Sequence, residues 1–419
     1  MKKDPSLSPA VTKLLEKGVK MPNPFAVEIG HEVRPERISG KNVVLYGGTK
    51  ISGDKTFIAS GVKLGSEAPV TLVNCQLGPE VELKGGFFHA SVFLEKSSMS
   101  AGAHVREGCL LEEESSGAHT VGLKQTILFP FVTLGSLINF CDCLMSGGSS
   151  RKNHSEVGSS YIHFNYTPNQ DKATASLIGD VPRGVMLNQP PIFLGGQGGM
   201  IGPLRLGYGT VILAGTVLRG DHPEGGKLLG QSGPLAYEIT FHQGFYADVK
   251  RRVYNNISYI ANILALTQWY EHVRRLFMAY NDTGRALLEG ALEKLAIILA
   301  ERLVRLQNLS EKMDLSVRIA KKIINGPQRQ TLIRQSREFQ ENWPAVEKCL
   351  TGHHEEALGT ENRDMFIQAL RSRINDDVDY IHTIRGLEHE ISLTGTSWLE
   401  NIVDGITSRA LEHLPACRN

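Results

Sequence analysis

A six-residue spacing of apolar residues constrains the fold of this chain more than any other feature of its sequence. The spacing is regular in residues 200–221, MIGPLRLGYGTVILAGTVLRGD, where it is carried by Met200, Leu206, Ile212 and Leu218. It is typical of hexapeptide repeats, in which each repeat forms one side of a triangular coil and neighbouring coils bury the apolar residue. An amphipathic helix does not fit this segment, because a helix needs apolar residues three and four positions apart and disfavours the glycines that the segment contains.

The same spacing extends, less regularly, through the preceding part of the chain. It is clearest between Met99 and Phe129, and slips from six residues to seven suggest bulged corners. The apolar positions before that stretch are Leu45, Ile51, Phe57, Leu64, Val70, Leu77 and Leu83. We therefore predict one continuous β-solenoid over residues 27–222, preceded by an N-terminal arm at 1–26 that contains a short helix over 8–18.

The composition changes after residue 221. A Gly/Pro-rich segment at 223–234 predicts a linker, and residues 235–419 predict an α-helical domain whose first two helices span 241–280 and 283–309. One face of the second helix is apolar, formed by Leu287, Leu288, Ala291, Leu292, Leu295, Leu299 and Leu303. Charged residues lie opposite or beside that face, namely Glu289, Glu293, Lys294, Glu301 and Arg302. This pattern indicates an amphipathic helix that packs on a core rather than a membrane span.

Charge and cysteine content narrow the classes of function. The 45 basic and 44 acidic side chains give a net charge of +1, which offers no electrostatic argument for nucleic-acid binding. The charged N-terminus lacks the apolar stretch of a signal peptide and no later stretch is long enough to cross a bilayer, so we expect a cytoplasmic protein. The cysteines are too scattered for a disulfide framework. Neither Cys141 and Cys143 nor the His353–His354 pair has the spacing of a metal site, so we expect no metal.

A long polar segment at 146–172 interrupts the repeat. Its hydrogen-bonding residues are Arg151, Lys152, Asn153, His154, Glu156, Tyr161, His163, Asn165, Tyr166 and Asn169. Insertions of this kind commonly project from one face of a solenoid and carry its binding groups. We therefore predict that 146–172 projects from the β-helix and forms the functional site. The alternative is an ordinary solvated loop, since the Thr-Pro-Asn sequence that follows the Asn-Tyr pair also forms turns.

Two segments resemble the left-handed β-helix acetyltransferase domain of the bacterial bifunctional UDP-N-acetylglucosamine pyrophosphorylase/glucosamine-1-phosphate acetyltransferases. Residues 193–221, FLGGQGGMIGPLRLGYGTVILAGTVLRGD, resemble the last coils of that domain. Residues 156–180, EVGSSYIHFNYTPNQDKATASLIGD, resemble its Asn-Tyr loop and the return of that loop into the coil. The resemblance implies a left-handed parallel β-helix, acetyl-CoA as co-substrate, and a homotrimer whose active sites lie between neighbouring subunits.

The resemblance also assigns roles to individual residues. Asn165 and Tyr166 match the Asn-Tyr pair that lies near the sugar and the acyl group in the family. Ser160, Gly196 and Ala214 match small residues along the groove that holds acetyl-CoA. Small residues suit such a groove, because a larger side chain would block the extended pantetheine arm.

Several positions depart from the family pattern. Phe140 stands where the family has a histidine that acts as a base, and the loss of a general base typically costs about a hundredfold or more in rate. The family's sugar-binding lysine falls at Asp171, with Lys172 displaced by one residue. The Gly-rich nucleotide loop of the family's pyrophosphorylase half is absent, so that activity is not expected. The helical domain beyond residue 235 has no counterpart in the family.

Two hypotheses of function follow. In the first, the protein transfers an acyl group from CoA to a sugar phosphate or nucleotide sugar: His154 is the base, and Asn165 with Tyr166 orients the acceptor. The candidate substrate-binding residues are Arg151, Lys152, Asn153, Glu156 and Lys172, of which the first two would hold phosphate. In the second, the chain is a non-catalytic β-helix that binds a UDP-sugar or serves as an assembly or regulatory module.

Overall fold

The computed structural model describes residues 7–230, 238–352, 354–374 and 379–418, without the side chain of residue 354. The N-terminal part is a left-handed parallel β-helix of about 11 turns, and a helical domain follows it. The fold class predicted from the six-residue spacing is therefore confirmed.

Short parallel strands form three faces of the β-helix, and the chain visits them in the order first, second, third. Two long strands join the second and third faces into one sheet. The first face consists of Val44–Leu45, Lys63–Leu64, Glu82–Leu83, Ser98–Met99, Ser116–Gly117, Thr133–Leu134, Glu156–Val157, Phe193–Leu194, Val211–Ile212 and Leu228–Leu229. The second face consists of Glu28–Ile29, Lys50–Ser52, Val70–Val73, Gly86–His89, Ala103–Val105, the first halves of Val121–Leu128 and Ile138–Met145, and then Ile162–His163, Gly199–Met200 and Val217–Leu218. The third face consists of Phe57–Ile58, Gln76–Leu77, Ser91–Phe93, Cys109–Leu111, the second halves of the two long strands, Ser176–Ile178 and Arg205–Leu206.

The interior of the β-helix is filled by inward-facing side chains, most of them apolar. Met200, Leu206, Ile212 and Leu218 are all buried, as the six-residue spacing predicts. The prediction is wrong by one residue at Phe57, which is only half-buried while the neighbouring Ile58 fills the interior. Successive first-face strands are not separated by a constant number of residues, so the register of the pattern slips between coils.

The β-helix continues beyond its predicted end. Strand Leu228–Leu229 pairs in parallel with Val211–Ile212, so this part of the predicted linker at 223–234 is an additional strand of the first face. The sequence of this segment does not predict a strand, because the two glycines before it look like linker glycines. Gly225 and Gly226 instead form the preceding corner of the coil, with positive φ angles. Residues 231–234 of the predicted linker lie outside the described residues.

The α-helices in the described part of the chain lie before, within and after the β-helix. They are α1 (Pro9–Glu16), α2 (Val181–Gly184), α3 (Val249–Trp269), α4 (Arg275–Met278), α5 (Asp282–Glu311), α6 (Met313–Ile323), α7 (Pro327–Glu341), α8 (Trp343–Thr351), α9 (Thr360–Arg371), α10 (Tyr380–Arg385) and α11 (His389–Glu412). The predicted helix at 241–280 begins later, because Asp248 caps α3 by accepting a hydrogen bond from the Arg251 amide. A π-helical turn at Tyr270–Arg274 joins α3 to α4.

The helical domain packs against the third face of the β-helix. Helix α5 crosses successive coils, and a Cβ added at Gly290 would lie 3.0 Å from the side chain of Val92. The same helix buries Lys294 and Arg302, which the sequence pattern places on or beside the polar side. The pattern misassigns these two residues because the third face, rather than solvent, lies against that part of the helix.

A buried ion pair joins α5 to the edge between the second and third faces. Arg302 Nη2 donates to Asp142 Oδ1 at 2.8 Å and to Gln125 Oε1 at 2.9 Å, and the side chains of Arg302 and Asp142 are 2% and 9% exposed. Gln125 and Asp142 both turn this edge with positive φ angles. The ion pair therefore holds a strained corner of the β-helix against the helical domain.

Other contacts join the helical domain to the edge between the third and first faces. The Tyr270 hydroxyl donates to Glu112 Oε1 at 2.5 Å, and Arg274 forms an ion pair with Glu113. Burial raises the pKa of Glu112 to about 7, although the nearby Arg274 guanidinium opposes this shift. No helix in the described part of the chain is long and apolar enough to cross a membrane.

Removal of one partner of the Arg302–Asp142 ion pair should destabilise the protein strongly. We expect Arg302→Leu to lower the free energy of unfolding by about 3 to 5 kcal/mol, because it leaves a buried carboxylate without its countercharge. Urea denaturation measures the change. The exposed Arg318→Leu is the matched control and should have little effect. Arg302→Leu combined with Asp142→Asn should cost less than the sum of the single substitutions, and strict additivity would contradict the proposed pairing.

The raised pKa of Glu112 should make stability depend on pH. A carboxyl group whose pKa is higher in the folded than in the unfolded state stabilises the fold below its ordinary pKa, and that stabilisation is lost as the pH rises through the folded value. We therefore expect the melting temperature of the wild type to fall as the pH rises from about 4.5, the ordinary pKa, to about 7, the folded pKa, and to level off above that range. Glu112→Gln should flatten this fall, whereas the exposed control Glu80→Gln should not. An unchanged pH profile for Glu112→Gln would show that another group causes it.

Candidate functional site

Ser160, Gly196 and Ala214 come together at the edge between the first and second faces, which we call the small-residue edge. Each follows a first-face strand by two or three residues, and hydrogen bonds stack the coils, such as that from the Gly215 amide to the Gly196 carbonyl oxygen at 2.9 Å. A Cβ added at Gly196 would lie 2.0 Å from the carbonyl oxygen of Ser159. The neighbouring backbone thus excludes any side chain at Gly196, and the exposed Ala214 leaves the edge open.

A row of outward-facing residues on the second face lies beside the small-residue edge. His104, Gly122, Asn139, His163 and Gly199 pair in register across successive strands, and we call them the polar row. Asn139 Nδ2 lies 3.3 Å from His163 Nδ1, and both side chains are exposed. His163 Nε2 can accept a proton from a bound substrate when Nδ1–H donates to the oxygen of the Asn139 amide, which requires that amide to be turned by 180° from the orientation that places Nδ2 there.

Sequence reasoning did not select Asn139 or His163 as site residues. The signal was present in the alternation of the two strands, because Asn139 lies between the buried Ile138 and Phe140 and is therefore directed outward. His163 likewise follows the buried Ile162. From the sequence alone His163 is only one of the polar residues of the segment 146–172, because the pattern there predicts a loop rather than part of a coil.

Asn165 and Tyr166 lie at the edge between the second and third faces, beside the corner that Arg302 holds. Asn165 Nδ2 donates to Asp142 Oδ2 at 3.3 Å, and Thr174 Oγ1 donates to the same oxygen at 3.3 Å. The Tyr166 side chain is 54% exposed. The Asn165 amide is therefore connected to Arg302 through one carboxylate, while the adjacent tyrosine is available to a ligand.

The helical domain holds the segment that follows the Asn-Tyr pair. Asn169 Oδ1 accepts from the Gly244 amide at 2.9 Å, and Lys312 Nζ donates to the Asn169 carbonyl oxygen at 2.9 Å. Asp171 is buried, and its Oδ2 atom lies 3.5 Å from Arg252 Nη1 in the helical domain. The residue at the position of the family's lysine therefore forms an ion pair between the two domains. Lys172 is exposed, with a positive φ angle.

Residues 146–172 do not form one projecting loop. Strands Gly148–Ser150 and Asn153–His154 form an antiparallel hairpin at the edge between the third and first faces. Glu156–Val157 and Ile162–His163 then return to the first and second faces as ordinary coil strands. The sequence pattern misses this return, because strands of two residues with polar outward positions carry little apolar signal.

The hairpin residues are held in different ways. Arg151 Nη1 donates to Thr133 Oγ1 and to the carbonyl oxygens of Glu114 and Phe131 at 2.9 to 3.0 Å, which fixes its guanidinium to the edge. Lys152 is exposed, and Asn153 Nδ2 donates to Ser149 Oγ at 3.0 Å. Arg151 is thus a fixed cation and Lys152 a free one.

His154 and Glu156 adjoin each other at the base of the hairpin. His154 Nε2 lies 3.8 Å from Glu156 Oε2, and the histidine side chain is 20% exposed. Its Nδ1 atom is buried and has no hydrogen-bond partner among the described residues. Glu156 faces outward on the first face, in register with Thr133 and Phe193.

The structure separates the sequence-predicted site residues into groups. Within one chain, the hairpin that carries His154 lies on one side of the third face, and Asn165 with Tyr166 lies on the other. The helical domain covers the face between them. Ser160, Gly196 and Ala214 lie at the remaining edge. One chain thus brings the small residues together but does not join His154 to the Asn-Tyr pair.

Phe140 belongs to the core of the β-helix. It is fully buried and stacks on Phe164 with ring centroids 3.8 Å apart. A residue at this position is directed into the core, so the structure explains why an aromatic side chain is accommodated there.

The described residues contain no group of three or more His, Cys, Asp or Glu side chains that could hold a metal ion. Cys143 is fully buried, and burial raises its thiol pKa well above the ordinary value. His353 and the side chain of His354 lie outside the described part of the structure.

No protein-family model matches this chain. Curated proteins similar to it are bifunctional GlmU proteins. The GlmU of Thermotoga maritima is 24% identical over 229 residues, which is 54% of this chain and 46% of that protein. For the GlmU of Carboxydothermus hydrogenoformans the identity is 23% over 219 residues, or 52% of this chain and 44% of the relative. That of a Geobacillus species is 22% identical over 212 residues, or 51% and 41%. The chain spans less than half the length of these relatives.

The β-helix and this weak similarity agree with the resemblance inferred from the two sequence segments. The chain resembles the left-handed β-helix acetyltransferase domain of the bifunctional GlmU proteins, and a further helical domain packs on the third face of its β-helix.

Proposed function

We propose that this protein transfers an acetyl or related acyl group from CoA to an amino or hydroxyl group of a sugar phosphate or nucleotide sugar. The observation that carries this proposal is the small-residue edge, where Ser160, Gly196 and Ala214 stack beside the polar row. The acceptor nitrogen or oxygen would form a bond to the acyl carbon as the carbon–sulfur bond breaks. The acceptor would lose a proton to a base, and CoA would leave as its thiol.

The small-residue edge suits the long, narrow pantetheine arm of acetyl-CoA. At Ser160, Gly196 and Ala214 the side chains are short or missing, while the stacked corners supply peptide groups at regular intervals. An arm lying there would bring the thioester beside the polar row, where His163 and Asn139 are exposed. The resemblance to the GlmU acetyltransferase domain supports acetyl-CoA as the co-substrate.

The proposed acceptor site combines groups from two subunits. We assign Asn165 and Tyr166 to orientation of the acceptor and the acyl carbonyl, as the resemblance implies. The hairpin of the neighbouring subunit would supply His154 as base and Arg151 and Lys152 as phosphate ligands. The remaining proposed substrate-binding residues are Asn153, Glu156 and Lys172. His163 is a second candidate base, because it lies two residues before Asn165 and needs no neighbour.

An exposed apolar row supports assembly into a homotrimer. Phe193, Val211 and Leu228 lie in register on the outside of the first face, with exposures of 39, 38 and 68%. Leu213 adjoins them and is also exposed. Contiguous apolar residues of this kind on a protein surface commonly mark a contact with another chain. Because the helical domain covers the third face, the first face is available for this contact.

The second candidate function is a non-catalytic module that binds a nucleotide sugar. The burial of Phe140 against Phe164 favours it, because the family's histidine has no counterpart at that position. The two functions differ in one measurable property, which is the binding of acetyl-CoA.

Acetyl-CoA should raise the melting temperature of the wild-type protein, because a ligand that binds only the folded state stabilises it by mass action. Ala214→Phe should abolish this response, since the added ring would fill the small-residue edge without entering the core. The control His119→Phe places the same ring at the same edge several coils away and should respond as the wild type does. No response of the wild type to acetyl-CoA, together with a response to UDP-N-acetylglucosamine, would favour the non-catalytic module.

Substitution of the catalytic base should reduce kcat by about a hundredfold or more with little change in acceptor binding, because a general base acts on the transition state. We expect this result for His154→Ala or His163→Ala, measured by transfer to glucosamine 1-phosphate. If neither substitution lowers kcat, the proposed base chemistry is wrong.

Mixed oligomers test whether the site spans two subunits. His154→Ala and Asn165→Ala chains, each inactive alone, should regain about a quarter of the wild-type activity after subunit exchange, because in that fraction of the sites both groups are intact. Light scattering should give the mass of three chains. A monomer, or exchange without any recovery, would contradict a shared site.

A further inference from the structure

A cleft runs along the edge between the third and first faces, where the helical domain meets the β-helix. It consists of one cavity of about 460 Å³ and a second of about 400 Å³, both of which are lined by Glu114, Asp379 and Ile381. The first cavity lies against helices α4, α5 and α10, and the second lies between α10 and the hairpin. The two cavities adjoin along these shared residues, and each is of the size that small ligands occupy.

A buried arginine without its full set of partners lies in the wall of the first cavity. The Arg274 side chain is 1% exposed, forms an ion pair with Glu113, and lies over the Tyr380 ring at 3.8 Å from the ring centroid. Its Nε and Nη1 atoms are buried and have no hydrogen-bond partner among the described residues, and the same holds for Glu113 Oε2. Buried polar atoms left unpaired cost free energy, so a ligand that supplies both acceptors and donors would stabilise this wall.

The remaining lining of the first cavity is rich in carboxylates. Glu95, Glu113, Glu114 and Asp379 line it together with Lys96. Glu95 pairs with Lys96 at 2.7 Å and Asp379 Oδ1 accepts from the Ile381 amide, so the remaining carboxylate oxygens are the acceptors left for a ligand. The exposed ring of Tyr280 forms part of the same wall. Carboxylates beside an aromatic ring suit a ligand with many hydroxyl groups, because the hydroxyls donate to the carboxylates while the carbon skeleton contacts the ring.

The second cavity has more cations than carboxylates. Arg151, Lys152 and Arg385 line it with His382, and the shared Glu114 and Asp379 are its carboxylates. Arg151 is already fixed by its bonds to the coil corners, so its position does not depend on a ligand. Several cations around one open cavity favour a phosphate group, which accepts charge-assisted hydrogen bonds from more than one of them.

We propose that this cleft binds a hydroxyl-rich organic phosphate of the sugar phosphate class. The phosphate lies between the hairpin and α10, and the hydroxyl groups lie against Arg274 and the carboxylates. This site rests in part on the proposed function, because Arg151 and Lys152 are also the phosphate ligands proposed there, and it extends that function to Arg274, Arg385 and the carboxylates of the cleft. A ligand held there bridges the hairpin and the helical domain and therefore fixes the hairpin in place.

Glucose 1-phosphate is a suitable probe, because it has no amino group to acetylate. Calorimetry should show binding to the wild type, with glucose and inorganic phosphate each binding at least about tenfold more weakly, since each fills only one cavity. Equal affinity for inorganic phosphate would show a general anion site and overturn the proposal. Failure of glucose 1-phosphate to bind the wild type would also overturn it.

Two surface variants locate the ligand. Arg385→Ala should weaken binding by about tenfold, whereas Arg371→Ala, an exposed arginine in the last turn of α9, should not. Glu95→Gln should weaken the binding of glucose 1-phosphate but not that of inorganic phosphate. Asn165→Ala should bind glucose 1-phosphate with the affinity of the wild type. Normal binding by Arg385→Ala, with loss of binding by Asn165→Ala, would place the ligand at the acyl-transfer site and overturn the proposal.

Discussion

The buried contact between Arg302 and Asp142 is the interaction on which the rest of this structure depends. A guanidinium and a carboxylate removed from water are stable only when each satisfies the other, so the contact fixes α5 against one corner of the β-helix. The same carboxylate accepts from Asn165 and Thr174, at the start and the end of the segment that carries the Asn-Tyr pair. The helical domain therefore determines the geometry of a corner that belongs to the proposed active site.

This docking divides the surface of the β-helix into covered and open parts. The third face lies under the helices, while the first face keeps an exposed apolar row and the second keeps the exposed polar row. The small-residue edge lies between the two open faces, so a long ligand reaches it without displacing the helical domain. The contacts at Glu112 and Arg274 close the other side of the third face and leave the cleft beside them. One domain contact thus gives rise to two candidate sites, which share the cations of the hairpin.

Particular residues show how much of this could be predicted from the sequence. The β-helix could be predicted because every coil needs inward apolar residues, which gives a regular spacing in the sequence. That spacing is clearest at Met200, Leu206, Ile212 and Leu218. The resemblance, rather than the periodicity, selects Ser160, Gly196 and Ala214, and these residues lie at one edge because each closely follows a first-face strand. Arg302 and Lys294 could not be assigned, because a charged residue flanking an apolar helix face is normally solvated, and only the docked third face buries it. The hairpin and the strand Ile162–His163 could not be predicted either, because strands of two residues with polar outward positions have the same sequence pattern as a loop.

The central claim is that acetyl-CoA lies along the small-residue edge. Amide hydrogen exchange, measured with and without saturating acetyl-CoA, tests this claim most directly because it reports where the ligand orders the backbone. The account predicts slower exchange in the corners at 158–161, 195–198 and 213–216, and unchanged exchange in α10 and the hairpin. Protection confined to α10 and the hairpin, or no protection anywhere, would contradict it.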